Sequence, residues 1–172
     1  MARTINLSTS DWAVLALLSE GEAHGFRLAS VFAPSGELGQ IWSIQRPQVY
    51  RALEHLVARG YALPLRQETG EIGPPRTVYV ATPEGIRVVR QWLATPVAHL
   101  REGRSDLLLK LAFLYRLGES PRPLLGAQKE IFGQLLRSLE ARVPVAEGID
   151  RVVLLWRVEN ARSALDFLEK LL

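Results

Sequence analysis

Cysteine is absent from all 172 residues. That removes disulfides, thiolate metal sites and thiol nucleophiles together, and it is compatible with a reducing compartment. Lysine is scarce as well: 18 of the 21 basic residues are arginine. A GC-rich genome produces such a bias by itself, yet arginine also brings a planar fork of donors suited to phosphate and guanine. Neither sign of charge dominates. The formal net charge is only +3, so the overall balance does not by itself point to a polyanionic partner. No apolar run approaches the ~20 residues of a membrane span. The apolar stretch Trp12 to Leu18 is flanked by Asp11, Glu20 and Glu22, with only Arg3 as a nearby cation. A secretory signal has the opposite flanks, so the expectation is a cytoplasmic protein without a membrane segment.

The groups that catalysis needs are also missing. His24, His55 and His99 stand far apart with no metal-ligand spacing. No glycine-rich phosphate loop follows a strand, and acidic residues are scattered over polar faces. The chain is therefore expected to have no catalytic residues, no metal and no cofactor. With 48% apolar and 23% charged residues, it reads as a folded chain rather than a disordered one. At this length roughly 70% of the unfolded surface can be buried without a staple.

The pattern along the chain predicts a helix-rich fold. Ser8 to Asp11 reads as a capped helix start, Trp12, Leu15 and Leu18 recur at helical spacing, and Gly21 ends the helix. A short second helix carries Phe26, Leu28, Val31 and Phe32 and stops before Pro34. Ile41 to Ile44 reads as a short extended piece. A third helix runs from about Pro47 to Arg59, with Gly60 as its stop. Its apolar stripe is Val49, Leu53, Leu56 and Val57, and its polar face carries Gln48, Arg51 and His55. Two extended runs follow, Tyr61 to Gln67 and Arg76 to Ala81, joined by a loop from Thr69 to Pro75. Pro64 assigns the first run to a sheet edge. Thr82-Pro83-Glu84 starts a fourth helix with Ile86, Val89, Trp92 and Leu93.

From about residue 105 onward no strand signal remains. Leu107 to Leu117 is apolar almost all round and reads as a buried helix. A long helix starts at Ser120-Pro121, and Pro144 and Gly148 separate it from a last one. This part has more apolar stripe than three helices can bury among themselves, and a second copy of the chain is the simplest cover. The expected fold is mainly α with a small β-hairpin wing: a winged helix-turn-helix domain over residues 1–95, then a helical dimerisation domain over 96–172.

Four segments in order resemble the PadR family of regulators. They are Leu15-Ala16-Leu17-Leu18 with His24-Gly25-Phe26; Trp42 with Val49-Tyr50-Arg51-Ala52-Leu53-Glu54-His55-Leu56 and Gly60; Pro75-Arg76-Thr77-Val78-Tyr79-Val80-Ala81-Thr82-Pro83-Glu84-Gly85; and Trp92-Leu93. Leu109-Lys110-Leu111-Ala112-Phe113 is similar to an element of members with a longer helical C-terminal domain. Phe26 departs from the family's usual tyrosine, Pro47 stands where the family often has a small residue, and the wing is expected to offer one arginine, Arg76, where two or three basic residues are common.

The resemblance implies a DNA-binding transcriptional regulator, a repressor acting as a homodimer on a palindromic operator. The alternative is a winged-helix adaptor that binds protein and not DNA. On the DNA-binding reading, Gln48 and Arg51 lie on the outward face of the third helix and reach bases or phosphate. Tyr50 packs its ring and offers its hydroxyl to phosphate. Arg46 and His55 are candidate backbone contacts, and Arg76 and Thr77 serve the wing. Trp42 is expected in the core. Trp92 is the candidate plate for a small aromatic effector. Ile149, Val152, Val153, Trp156, Leu165, Leu168 and Leu172, spaced three and four apart along the last helix, are the expected dimerisation surface.

Overall fold

The computed structural model describes residues 6–69 and 75–172. The centre of the hairpin loop, residues 70–74, lies outside the described residues. The chain divides into two compact units, residues 1–93 and 94–172.

In the first unit, α1 (Thr9–Glu20) is followed by a two-residue strand β1 (Ala23–His24), α2 (Gly25–Val31) and α3 (Arg46–Ala58). The hairpin strands β2 (Ala62–Glu68) and β3 (Arg76–Ala81) then lead into α4 (Pro83–Ala94). This is the winged helix-turn-helix order that the sequence predicts. Helix α1 begins at a reciprocal cap: the Asp11 amide donates to Ser8 Oγ at 3.1 Å, and the Ser8 amide donates to Asp11 Oδ2 at 3.0 Å. Leu15, Leu18, Leu28, Phe32, Ile44, Leu53 and Leu56 are fully buried and form the core beneath α3.

The sheet is antiparallel in the order β1-β3-β2, so Pro64 does stand on an edge strand. A register irregularity follows it, between Pro64 and Arg66. The third strand was not anticipated: Ala23 and His24 pair with Tyr79 and Val78, and two residues are too few to show a period. The expected extended piece at Ile41–Ile44 forms no strand: Ile41 ends a series of turns, and residues 42–44 belong to no element. The amides of Ile41 and Trp42 both donate to the Leu38 carbonyl, and the Ile44 amide donates to Phe32. Trp42 is half-buried rather than core, because its indole N–H donates to Ser10 Oγ at 3.2 Å.

The end of α3, the start of β2 and the start of α4 meet at one knot of backbone. Gly60 adopts φ +76°, the left-handed conformation that stops a helix. The Tyr61 amide donates back to the Leu56 carbonyl at 2.9 Å. Thr82 closes the knot: its amide donates to the Tyr61 carbonyl at 2.9 Å, its hydroxyl donates to the Gly60 carbonyl at 2.8 Å, and that hydroxyl accepts from the Gly85 amide at 3.0 Å. A Cβ at Gly85 would stand 2.1 Å from the Tyr61 carbonyl oxygen.

The second unit holds α5 (Leu108–Arg116), α6 (Arg122–Glu140) and α7 (Gly148–Leu171), preceded by short 3-10 and π turns over residues 100–107. Leu107, Leu109, Phe113, Leu125 and Phe132 are buried in it. A second cluster, Leu139, Leu154, Val158 and Ala161, joins α6 to α7. Two polar side chains are buried in this unit with their hydrogen bonds made. Gln128 accepts from the Val97 amide at 2.7 Å and donates to the Val97 carbonyl at 2.9 Å. Lys110 Nζ donates to the Thr95 carbonyl at 2.5 Å. Burial lowers the lysine's pKa to about 8, against the opposing pull of Asp106 and Glu102.

Two expectations follow. Gly85→Ala forces backbone apart at the knot, an overpacking cost of about 1–3 kcal/mol or more, which exceeds the ~1 kcal/mol that alanine gains over glycine in a helix. A lower urea midpoint for the first unit checks it. Lys110 binds its proton less tightly folded than unfolded. The unfolded chain therefore holds more protons between pH 8 and 10.5, and the lysine's contribution to stability grows as pH rises through that window. Unfolding titrations of wild type and Lys110→Met across it should show the difference moving in favour of wild type.

Candidate nucleic-acid interface

Helix α3 buries Val49, Ala52, Leu53 and Leu56, and this leaves Arg46, Gln48, Tyr50, Arg51 and His55 on its exposed side. Val57, expected in the apolar stripe, is 36% exposed. The exposed residues do not all point freely outward. Gln48 Oε1 accepts from the Gln45 amide at 3.1 Å and so caps the helix start, which leaves its side-chain N–H groups as the donors. His55 is exposed, but its Nδ1 lies 3.5 Å from Oδ1 of the buried Asp11. The ring is thus tied to the α1 cap and is less available to a partner than its helical position alone implies. Arg51 is exposed, and no described residue forms an ion pair with it.

The segment His24-Gly25-Phe26 adjoins the start of α3. His24 Nδ1 accepts from the Arg27 amide at 3.1 Å and caps α2. Gly25 leaves room for Tyr50, since a Cβ there would stand 2.6 Å from the tyrosine ring. Tyr50 therefore lies over the first turn of α2 and stays 37% exposed. Phe26 is 49% exposed, which is unusual for so apolar a ring, and cations surround it. The guanidinium carbons of Arg46 and Arg76 each stand 5.4 Å from its centroid, and Arg46 is also 5.9 Å from the centre of Tyr50. All three are cation–π distances. Sequence reasoning treated Phe26 as part of an apolar stripe and missed this role. Its signal was an aromatic residue next to a capping histidine at a helix start.

The hairpin contains two arginines, not one. Arg66 on β2 is engaged by Glu22, with Nη1 2.8 Å from Oε2, and by Glu68, with Nη2 2.7 Å from Oε1. The Arg66 guanidinium holds the Glu22 carboxyl below the usual carboxylate range, and the two acids balance the arginine's charge. Arg76 is exposed and has no acidic partner among the described residues. Thr77 is half-buried within β3.

The ligand and dimer candidates fare unevenly. The Trp92 ring is 8% exposed and stacks on Trp12 with centroids 5.4 Å apart and planes 5° from parallel. Little of its face is left for an effector. In the second unit, Ile149, Val152, Val153 and Trp156 are exposed on α7, as are the unanticipated Leu155 and Phe167, and Leu172 is exposed just after the helix. Leu165 is half-buried. Leu168 is fully buried within its own unit and so has no surface to offer a partner. A groove of about 870 Å³ runs along this unit, walled by Leu107, Phe132, Trp156 and Phe167 with Arg101, Arg104 and Arg157. Among the described residues no helix is long and apolar enough to cross a membrane, and no group of three or more acidic residues or histidines is placed to hold a metal ion.

Comparison with known proteins places this arrangement. The negative transcriptional regulator PadR of Bacillus subtilis is 25% identical over 137 residues, 80% of this chain and 70% of that protein. The crystal structure of Bacillus subtilis PadR in complex with operator DNA superposes with a TM-score of 0.51 at 23% identity, covering 96% of this chain and 97% of that one. The same protein with p-coumaric acid gives a TM-score of 0.46 at 21% identity, covering 95% and 96%. The model of the transcriptional regulator PadR-like family matches residues 14–91, which span the capped α1, the Phe26 cluster, the α3 face and the hairpin. Residues 14–91 of this protein are a PadR-like domain.

Proposed function

We propose that the protein is a cytoplasmic repressor that binds duplex DNA as a homodimer on a palindromic operator. In this reading residues 1–95 bind DNA and residues 96–172 hold the dimer. Helix α3 enters the major groove with Arg51 and the side-chain N–H groups of Gln48. Arg46, Arg76 and the Tyr50 hydroxyl meet phosphate. One observation carries the reading: Arg46, Arg51 and Arg76 are exposed around α3 and the hairpin, without an acidic partner among the described residues. A net charge of +3 is then sufficient, because what attracts the duplex is the local field and not the total. The name of the Bacillus relative, a negative regulator, supports repression.

Titration of the full chain with random duplex DNA at low salt, then with sequences selected from a random pool, tests this. Binding that falls steeply with salt, by roughly 0.9 log units of affinity per log unit of salt for each phosphate contacted, is the expected result. A palindromic consensus is expected as well. No binding at low salt overturns the reading in favour of the protein adaptor. Arg51→Ala should cost about 1–3 kcal/mol and relax preference at one base position if the arginine reads a base bidentately.

The dimer rests on α7. Ile149, Val152, Val153 and Trp156 expose apolar area within two turns, and Trp156 is 72% exposed. A surface helix leaves such a patch uncovered only at the cost of aggregation, and a closed two-fold dimer is the commonest cover. The combined change Val152→Asp with Trp156→Glu should weaken self-association by about 10-fold or more, since central aromatic anchors dominate interfaces. Sedimentation should then show a folded monomer, and operator affinity should fall because the two half-sites are no longer linked.

A further inference from the structure

The ring of Phe26 joins three elements: it sits on α2, Arg46 is the first residue of α3, and Arg76 is the first residue of β3. Both guanidinium groups lie 5.4 Å from its centre. Three facts set this cluster apart from ordinary surface packing. The ring is half exposed, so it contributes less to the core than a phenylalanine can. Arg46 occupies a helix N-terminus, where the helix dipole is already positive and a further cation is unfavourable. Arg46 and Arg76 are like charges held at one ring, with no acid pairing either among the described residues. The negative face of the ring offsets part of that repulsion. A guanidinium against an aromatic face uses its flat side, and its in-plane N–H donors remain available.

We propose that Phe26 is a positioning residue. It holds the Arg46 and Arg76 side chains so that one arginine from α3 and one from the hairpin grip the same stretch of anionic backbone. The inference rests on the DNA-binding reading above and adds to it an internal device. The two long side chains are fixed before binding, so less of their freedom is lost on contact. The contact is to phosphate and carries no base preference of its own.

The test uses the full chain with Phe26→Leu, which keeps an apolar side chain and removes the ring, and Phe26→Tyr, which keeps the ring. In the free protein, NMR should show ring-current shifts of the Arg46 and Arg76 side-chain protons in wild type and Phe26→Tyr, and their loss in Phe26→Leu. On selected duplex DNA, Phe26→Leu should bind about 5–30-fold more weakly, the equivalent of two exposed cation–π contacts, with unchanged sequence preference, while Phe26→Tyr binds nearly as wild type does. With Arg46→Gln and Arg76→Gln already in place, Phe26→Leu should cost nothing more. Absence of the ring-current shifts overturns the positioning role whatever the DNA result. Undiminished affinity in Phe26→Leu overturns it too, as does a loss that persists in the double arginine variant. Ring-current shifts in a wild-type protein that binds no duplex would instead overturn the DNA-binding reading, and the phosphate grip with it.

Discussion

The Tyr61 carbonyl is the point on which the first unit turns. It receives the Thr82 amide at 2.9 Å, and the absence of a side chain on Gly85 lets α4 start against it. Thr82 adds a second hold on the preceding carbonyl, that of Gly60. Three elements are thereby locked together: the end of α3, the root of the hairpin and the start of α4. None of these contacts is large in energy, since a typical hydrogen bond contributes only about 1 kcal/mol net. Their value is geometric. A helix face and a hairpin can address one duplex only if their relative pose is fixed. Here that pose is set by backbone together with one short side chain, the Thr82 hydroxyl.

Much of this was legible in the sequence because its signals are local. A serine cap with an acid three residues on, a glycine after an amphipathic run and the triplet Thr82-Pro83-Glu84 each report on a few neighbouring residues. Pro64 reported an edge strand because it cannot donate a ladder hydrogen bond. What escaped the reading is non-local. The pairing of Ala23 and His24 with β3 depends on residues more than fifty positions away. The tie between His55 and Asp11 and the cations around Phe26 also join residues 20 or more positions apart. Trp42 illustrates the limit in a single residue: composition put it in the core, while a hydrogen bond to Ser10 holds it part-way out. On α7 the spacing of apolar residues revealed a stripe but not which part of it the chain itself covers. Leu168 was therefore grouped with Trp156, although one is fully buried and the other 72% exposed.

On the proposed reading, the local electrostatics matter more than the near-balanced total charge. Some surface acids and bases pair with each other: Arg87 with Glu84, Arg162 with Glu140 and Glu159, Lys129 with Glu169. Such exposed pairs are worth little as stability. They do cancel one another's fields locally, whereas Arg46, Arg51 and Arg76 around α3 and β3 have no acidic partner among the described residues.

The clamp at Arg66 can be read in the same way. One of its two carboxylates comes from its own strand and the other from Glu22, 44 residues earlier. A hairpin that projects from a domain is ordinarily a loose lever, and a loose lever spreads its tip over many positions. The Glu22 tether shortens that lever by fastening the shaft of the wing to the turn after α1. Arg66 spends its charge in doing so, and β2 is held to the turn after α1. On the proposed DNA-binding reading, what the hairpin gives up in attraction for a polyanion it recovers in aim, through the single arginine at the start of β3.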